Sequence, residues 1–207
     1  MEVKLLFLTP NAEKMIEDCA RTSYLSFDKM KESQNSSFIR TLVKNGHHSV
    51  LEHAYATFRI KGVSRATSHQ FVRHRLASFT QQSQRYVDEK NFIYTVPDSI
   101  DKNPEAKKIF LNTMEQMKTA YIKLRGMDIR KEDARYLLPN AVNTEIVITA
   151  NLREYRRIFE LRCDIKAQWE IRDMCIEMLE ILRKECPNVF YDLAIDPGKK
   201  ALKKGES

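Results

Sequence analysis

The chain is poor in glycine, with five in 207 residues, and neither G-x-G-x-x-G nor G-x-x-x-x-G-K-[ST] occurs. That excludes the Rossmann and P-loop cradles, in which backbone N–H groups approach phosphate closely. Any nucleotide would have to be held by side chains. The four cysteines, Cys19, Cys163, Cys175 and Cys186, form no C-x-x-C pair, so neither a zinc knuckle nor a disulfide framework is expected. No apolar run reaches 18 residues, and Met1-Glu2-Val3-Lys4-Leu5-Leu6 has neither a secretory apolar core nor a cleavage site. The expectation is a soluble, cytoplasmic protein with no membrane partner.

Carboxylates are missing from one long stretch. Between His53 and Val87 there is no Asp or Glu, while Arg59, Lys61, Arg65, Arg73, Arg75 and Arg85 give it a charge of +6. The whole chain carries +7, and Lys199 to Ser207 contributes +3. The positive field is therefore local. Such a patch suits a nucleic-acid backbone or a small anionic ligand. A basic nucleic-acid-binding module is the rival reading, although no nucleic-acid-binding motif and no interleaved exposed aromatics accompany the patch. With 43% hydrophobic residues, the chain can bury one good core, read as a single domain over residues 1–198 followed by a basic tail at 199–207.

The densest segment is Arg73-His74-Arg75-Leu76-Ala77-Ser78-Phe79-Thr80-Gln81-Gln82-Ser83-Gln84-Arg85-Tyr86, which has many donors and no carboxylate. Planar arginine forks bond phosphate bidentately, so a phosphorylated ligand fits this composition, as does a solvated helix face.

The remaining pattern predicts alternating strands and helices. Val3 to Leu8 reads as a strand, with Thr9-Pro10 opening a helix towards Tyr24. Residues 25–35 read as a polar loop. Ser36 caps a helix with Phe38, Ile39, Leu42 and Val43 inward, ended by Asn45-Gly46. Ala54 to Lys61 reads as a strand broken by Gly62. Ser64 then caps a helix running into the Arg73 motif, placing Gln70 and Arg73 about one turn apart. Asn91 to Val96 reads as a strand. Asn103-Pro104-Glu105 opens a long helix with Ile109, Phe110, Met114, Met117 and Tyr121 inward and Gly126 at its end. Lys131 to Leu138 forms a short helix before Pro139, and Thr144 to Thr149 a strand. Asn151 and Glu154 form a capping box. Asp164 caps a last helix buried along Ile171, Met174, Met178, Leu179 and Leu182 and ended by Cys186-Pro187, with Trp169 in the core. The tail beyond Pro197-Gly198 is expected to be frayed.

His47, His48 and His53 with Glu52 invite a metal reading. His47 and His53 are six residues apart and no H-E-x-x-H pattern occurs, so the expectation is no metal and an ordinary loop capped by Ser49.

The order Arg73-His74-Arg75-x-x-Ser78, then Ser83 and Arg85, resembles the signature of the flavin-dependent thymidylate synthases. Three further segments are similar to that family: Gly46-His47-x-Ser49-x-x-Glu52-His53, Ala134-Arg135-Tyr136-Leu137-Leu138-Pro139, and Leu161-Arg162 followed by Ala167-Gln168-Trp169-Glu170-Ile171. The resemblance implies an α/β fold of α+β type, with a central antiparallel sheet flanked by helices and a helical lobe. It also implies a homotetramer with active sites shared between subunits. The implied reaction methylates dUMP to dTMP with methylenetetrahydrofolate as one-carbon donor and NADPH, through FAD, as reductant, without a cysteine nucleophile.

On the same resemblance, His47, Ser49, Glu52, Arg73, His74, Arg75, Gln81, Asn151, Arg153 and Arg157 contact FAD. The nucleotide is held by Gln70, Arg73, Gln81, Gln82, Ser83, Gln84, Arg85, Arg135 and Arg162. Arg162 activates the uracil ring and Ser83 positions it. Many members have Asn-Glu-x-Ser where this chain has Thr80-Gln81-Gln82-Ser83, so position 81 can hydrogen-bond but cannot serve as a carboxylate base. Arg153 and Arg157 are i,i+4 neighbours that repel unless an anion, whether Glu154, Glu160 or a cofactor pyrophosphate, lies between them.

Overall fold

The computed structural model describes the chain except Tyr24 and residues 30–35 and 204–207. In chain order the elements are β1 (Glu2–Leu8), α1 (Ala12–Thr22), α2 (Ser36–Lys44), β2 (Tyr55–Ser64), α3 (Arg65–Phe71), β3 (Ala77–Gln81), α4 (Asp98–Asp101), α5 (Pro104–Gly126), α6 (Lys131–Ala134), β4 (Asn143–Asn151), α7 (Leu152–Arg162), α8 (Trp169–Glu185), β5 (Ile195–Asp196) and β6 (Ala201–Leu202). One sheet has the order β1-β2-β4-β3, and β5 pairs antiparallel with β6. The fold is mixed α and β, with an antiparallel sheet and helices.

The chain divides into two compact units. One comprises Met1–Glu2, Ile60–Gln70 and Thr80–Ile146, and the other Val3–Arg59, Phe71–Phe79 and Val147–Ser207. In the first, Phe92, Met114 and Val142 form a core with Tyr94 and Phe110 packed against it. Its long helix α5 starts where Asn103 accepts hydrogen bonds from the N–H groups of Glu105 and Ala106, with Pro104 at the first position. This satisfies orphan donors of the first turn. Ile109, predicted to face inward, is 62% exposed. The expected strand over 91–96 is reduced to a single bridge, Tyr94 to Val142.

In the second unit α7 and α8 bury Tyr155, Ile158, Phe159, Met174, Met178, Leu179 and Leu182. A ring series runs through Phe58, Tyr155, Phe159 and Phe190, with centroids 5.7 to 5.9 Å apart. Such spacing is favourable for offset and edge contacts. The Tyr155 hydroxyl donates within reach of Ala56 O at 3.2 Å and Ile148 O at 3.5 Å, so α7 is tied to neighbouring strands.

Several boundaries differ from the sequence reading. Thr9 continues the pairing of β1, its N–H donating to Tyr55 O at 2.9 Å, and α1 starts after Asn11 instead. The predicted end of that helix at Tyr24 and part of the 25–35 loop lie outside the described residues, and Phe27–Lys29 form a 3₁₀ turn. Gly46 has φ of +75°, with its N–H bonded to Val43 O and that of His47 to Leu42 O. That is the Schellman ending expected of a C′ glycine. The predicted loop over 47–53 is a 3₁₀ helix from His48 to His53, whose N-cap is His47 without a side-chain cap, so Ser49 caps nothing.

Gly62 does not break β2. It sits inside the strand with φ of +72°, and the buried positions shift from Ala56, Phe58 and Ile60 to Val63 across it. A glycine there absorbs the change of phase. Ser64 does cap α3, accepting from Thr67 N at 3.1 Å, but the helix ends at Phe71, so Arg73 is not on it.

The last helix is capped by Gln168, which accepts from Glu170 N and Ile171 N at 3.1 Å. Asp164 instead accepts from Lys166 N two residues on, at 2.8 Å, and Trp169 is only partly buried. The described part of the tail is not frayed: Ala201 is buried and Leu202 N donates to Cys163 O at 2.8 Å.

Candidate functional site

Helix α7 organises the second unit's cleft. Asn151, at the end of β4, accepts from Glu154 N at 2.8 Å and so caps the helix. The predicted box is half formed, because the Glu154 carboxylate faces His74 Nδ1 at 3.5 Å. From this start, Arg153, Arg156 and Arg157 stand at i, i+3 and i+4. They line a cleft of about 490 Å³ together with His48, Glu52, Leu76, Asn151, Glu154 and Glu160.

The arginines are held differently. Arg156 is buried and bidentate, with N–O distances of 2.7 Å to both Asp192 oxygens. Its guanidinium lowers the Asp192 pKa although burial alone would raise it. Arg153 pairs with Glu52 and Arg157 with Glu160 at 3.8 Å, each of the four side chains more than 40% exposed. Exposed pairs of this kind contribute little and are readily exchanged for a better anion. Neither Glu154 nor Glu160 bridges Arg153 and Arg157: each arginine has its own carboxylate neighbour or an approach to one.

His74 stands beside this cleft and is 6% exposed. Arg162, the last residue of α7, donates its Nε–H to His74 Nε2 at 3.0 Å. Burial, reinforced by the charges of Arg162 and Arg157, depresses the His74 pKa to about 4. Burial pushes the Glu154 carboxyl up, opposed by Arg157. Arg73, Arg75, His47 and Ser49 are exposed in the same unit, and the cleft lining does not include them.

The first unit carries the remaining candidates. Arg85 Nε donates to Glu132 Oε2 at 2.6 Å, and Arg135 Nε donates to the Glu132 carbonyl at 3.1 Å. Two arginines 50 positions apart thus meet at one residue. Ser83 Oγ accepts from Arg85 N at 3.2 Å. Gln81 Nε2 donates to Ser68 Oγ and Thr144 Oγ1, at 2.9 and 3.2 Å. Gln82 donates to Glu89 at 3.0 Å, whose carboxyl burial pushes up. Gln84 is 7% exposed with its Nε2 unpartnered. Gln70 is half-buried on α3.

Sequence reasoning did not place His48, Leu76 or Arg156 in the cleft, and named Glu154 and Glu160 only as possible neighbours of the arginines. The run Arg153-x-x-Arg156-Arg157 was the available signal, since i and i+3 share a helix face. The other missed feature is the Arg162 to His74 bond, which joins residues 88 apart and leaves no local trace. Among the described residues, no group of three or more His, Cys, Asp or Glu side chains could hold a metal ion, and no helix is long and apolar enough to cross a membrane.

The fold and cleft are those of an α+β protein that presents arginine side chains, in place of a glycine-rich loop, to its candidate ligand site. The chain belongs to the thymidylate synthase complementing protein family, whose model matches residues 4–188. It is similar to proteins named flavin-dependent thymidylate synthase in several organisms. That of Geobacter sulfurreducens is 42% identical over 200 residues, covering 93% of this chain and 86% of that protein. The Clostridium tetani protein is 40% identical, covering 92% and 85%. The Pyrococcus furiosus protein is 42% identical over 163 residues, covering 77% and 67%.

Proposed function

We propose that the protein converts dUMP to dTMP, taking the one-carbon unit from methylenetetrahydrofolate and the reducing equivalents from NADPH by way of FAD. The observation that carries this reading is the 42% identity, over 93% of the chain, to a protein named flavin-dependent thymidylate synthase. The electrons balance if NADPH supplies the hydride, leaving tetrahydrofolate and NADP⁺ as the other products.

The cleft residues fit FAD. Arg153 and Arg157 sit in exchangeable pairs that a pyrophosphate displaces, Asn151 offers an amide, and Arg156 is locked to Asp192 and shapes the wall. In this reading His47, Ser49, Glu52, Arg73, His74, Arg75 and Gln81 complete the cofactor's surroundings. Flavin bound there and first reduced by NADPH would supply the hydride that brings the transferred carbon to the methyl level.

The chain's own residues do the rest. Arg85 and Arg135, already drawn together at Glu132, offer two fixed charges to the nucleotide phosphate or sugar, with Gln70, Arg73, Gln82, Ser83 and Gln84 ordering the remainder. Arg162 cannot act as a base because arginine stays protonated. Its charge at the N3/O4 edge of uracil stabilises the anionic ring and so raises the nucleophilicity of the ring carbon.

The three buried thiols do not compete for that role. Burial pushes Cys163 and Cys186 up to about 12 and Cys175 well above its ordinary value, far from the thiolate that attacks. Residues 1–198 work as one catalytic domain in a cytoplasmic homotetramer whose protomers share active sites.

Two measurements test the proposal together. The purified protein should be yellow and release FAD on denaturation, and it should oxidise NADPH only when dUMP and methylenetetrahydrofolate are both present, yielding dTMP. Colourless protein with salt-sensitive oligonucleotide affinity would instead support the nucleic-acid module.

A further inference from the structure

The His74 ring is fixed on every side within its own unit. Its main chain is tied at both ends, His74 N donating to Phe71 O at 3.2 Å and Ala77 N to His74 O at 3.3 Å. Phe71 packs edge-on against the ring, with centroids 6.3 Å apart. Nε2 faces Arg162 Nε at 3.0 Å and Nδ1 faces Glu154 Oε1 at 3.5 Å. An arginine Nε–H can only donate, so Nε2 must present a lone pair. In neutral imidazole the proton then sits on Nδ1, the side turned to the Glu154 carboxylate.

Arg162 needs such a holder. It is the last residue of α7; Leu202 N holds the adjacent Cys163 carbonyl, but the Arg162 side chain itself has several rotatable bonds. A guanidinium anchored at Nε has its plane set, so the direction of its terminal N–H groups is set too.

We infer that His74 is the positioning residue for Arg162: the Nε2 lone pair takes the Arg162 Nε–H and aims the guanidinium, while Glu154 beside Nδ1 selects the tautomer that makes this possible. This rests on the reading of Arg162 as the group that meets the pyrimidine, and it adds to cofactor contact by the same segment a second task. The environment supports it. Burial with Arg162 and Arg157 nearby keeps the ring neutral well below pH 6, so the acceptor persists under ordinary conditions. A protonated ring would put an N–H against the Arg162 N–H and reverse the attraction.

The test compares His74→Asn with His74→Gln. The asparagine amide reaches the Nδ1 position but leaves nothing where Nε2 was, whereas the glutamine Oε1 falls near Nε2 and can accept. His74→Asn should lower kcat per bound flavin about 100-fold, the scale of a misaligned reacting group, with KM for dUMP changed less than about threefold and FAD content measured on the same preparation. His74→Gln should recover at least about tenfold of that loss. Equal impairment of the two variants, or loss that follows flavin release alone, overturns the proposal.

Should the variants fail to fold, the wild-type protein decides by ¹⁵N NMR of labelled histidine. Protonation of His74 at Nδ1 with bare Nε2 is expected, and an Nε2-protonated or doubly protonated ring overturns it. The tautomer is read without turnover. Wild-type protein that makes no dTMP therefore defeats the proposed reaction, while the NMR result still decides whether His74 holds Arg162.

Discussion

Arg162 and His74, 88 residues apart in the chain, meet through a single hydrogen bond of 3.0 Å from Nε to Nε2. It couples the end of a helix to the carboxylate-free segment from Arg73 to Tyr86, and it requires the histidine to be neutral.

That requirement has a pH signature. A histidine in the unfolded chain takes its proton near pH 6.5, whereas His74 in the folded protein stays neutral down to about 4. Between those values the unfolded state binds more protons, so lowering the pH favours unfolding. Glu154, Arg157 and Arg162 are the charged groups facing the ring. Relative to His74→Gln, the wild type should lose about 1.4 kcal/mol of stability per pH unit from about pH 6.5 towards 4. Urea unfolding of both proteins across that range measures it. A constant difference contradicts a neutral buried ring.

A second prediction concerns nucleophiles. Cys163, Cys175 and Cys186 are fully buried, and their thiols are pushed up by desolvation. Cys186→Ala and Cys163→Ala should therefore lower the melting temperature through small cavities and leave dTMP formation per folded protomer intact. Ser83, whose Oγ is occupied by Arg85 N, behaves as an orienting group: Ser83→Ala should weaken turnover without abolishing it. Complete loss with dUMP affinity preserved would restore a serine nucleophile.

Leu202 gives a third. Leu202 N bonds to Cys163 O, adjacent to Arg162, so β6 pins the end of α7. Leu202→Pro removes that donor and should cost about 1–3 kcal/mol by leaving the buried carbonyl unpaired. Leu202→Ala keeps the N–H and should cost less. Denaturant midpoints of the two variants distinguish a pinned end from a frayed one.

Much of this architecture was legible in the sequence where one physical rule dominated. The β-branched run from Thr144 to Thr149 marked β4, and Asn103-Pro104 and Asn151 marked the starts of α5 and α7 by capping chemistry alone. The rule failed where two signals competed. Gly62 looked like a strand end but relieves a change of phase within β2, and Asp164 had the better capping propensity although Gln168 holds the position from which the N–H groups of α8 can be reached.

Tertiary pairing was invisible for the same reason. Nothing local distinguishes lysine-rich residues 199–203 as a segment that lays Ala201 into the core, and nothing near His74 announces Arg162. The candidate arginines of α7 and the Glu160 neighbour of Arg157 could be read from helical spacing, but the division between exchangeable and locked pairs depends on Glu52 and Asp192, which come from other parts of the chain.

The central claim is that Arg162 activates the pyrimidine while other arginines hold the cofactor. The direct measurement is dTMP formed by Arg162→Ala at saturating dUMP, beside the FAD released from the same preparation. The account predicts flavin at the wild-type level with turnover reduced at least about 100-fold, as when a preorganised charge is removed from a developing anion. Wild-type turnover in that variant, with flavin bound, would contradict it.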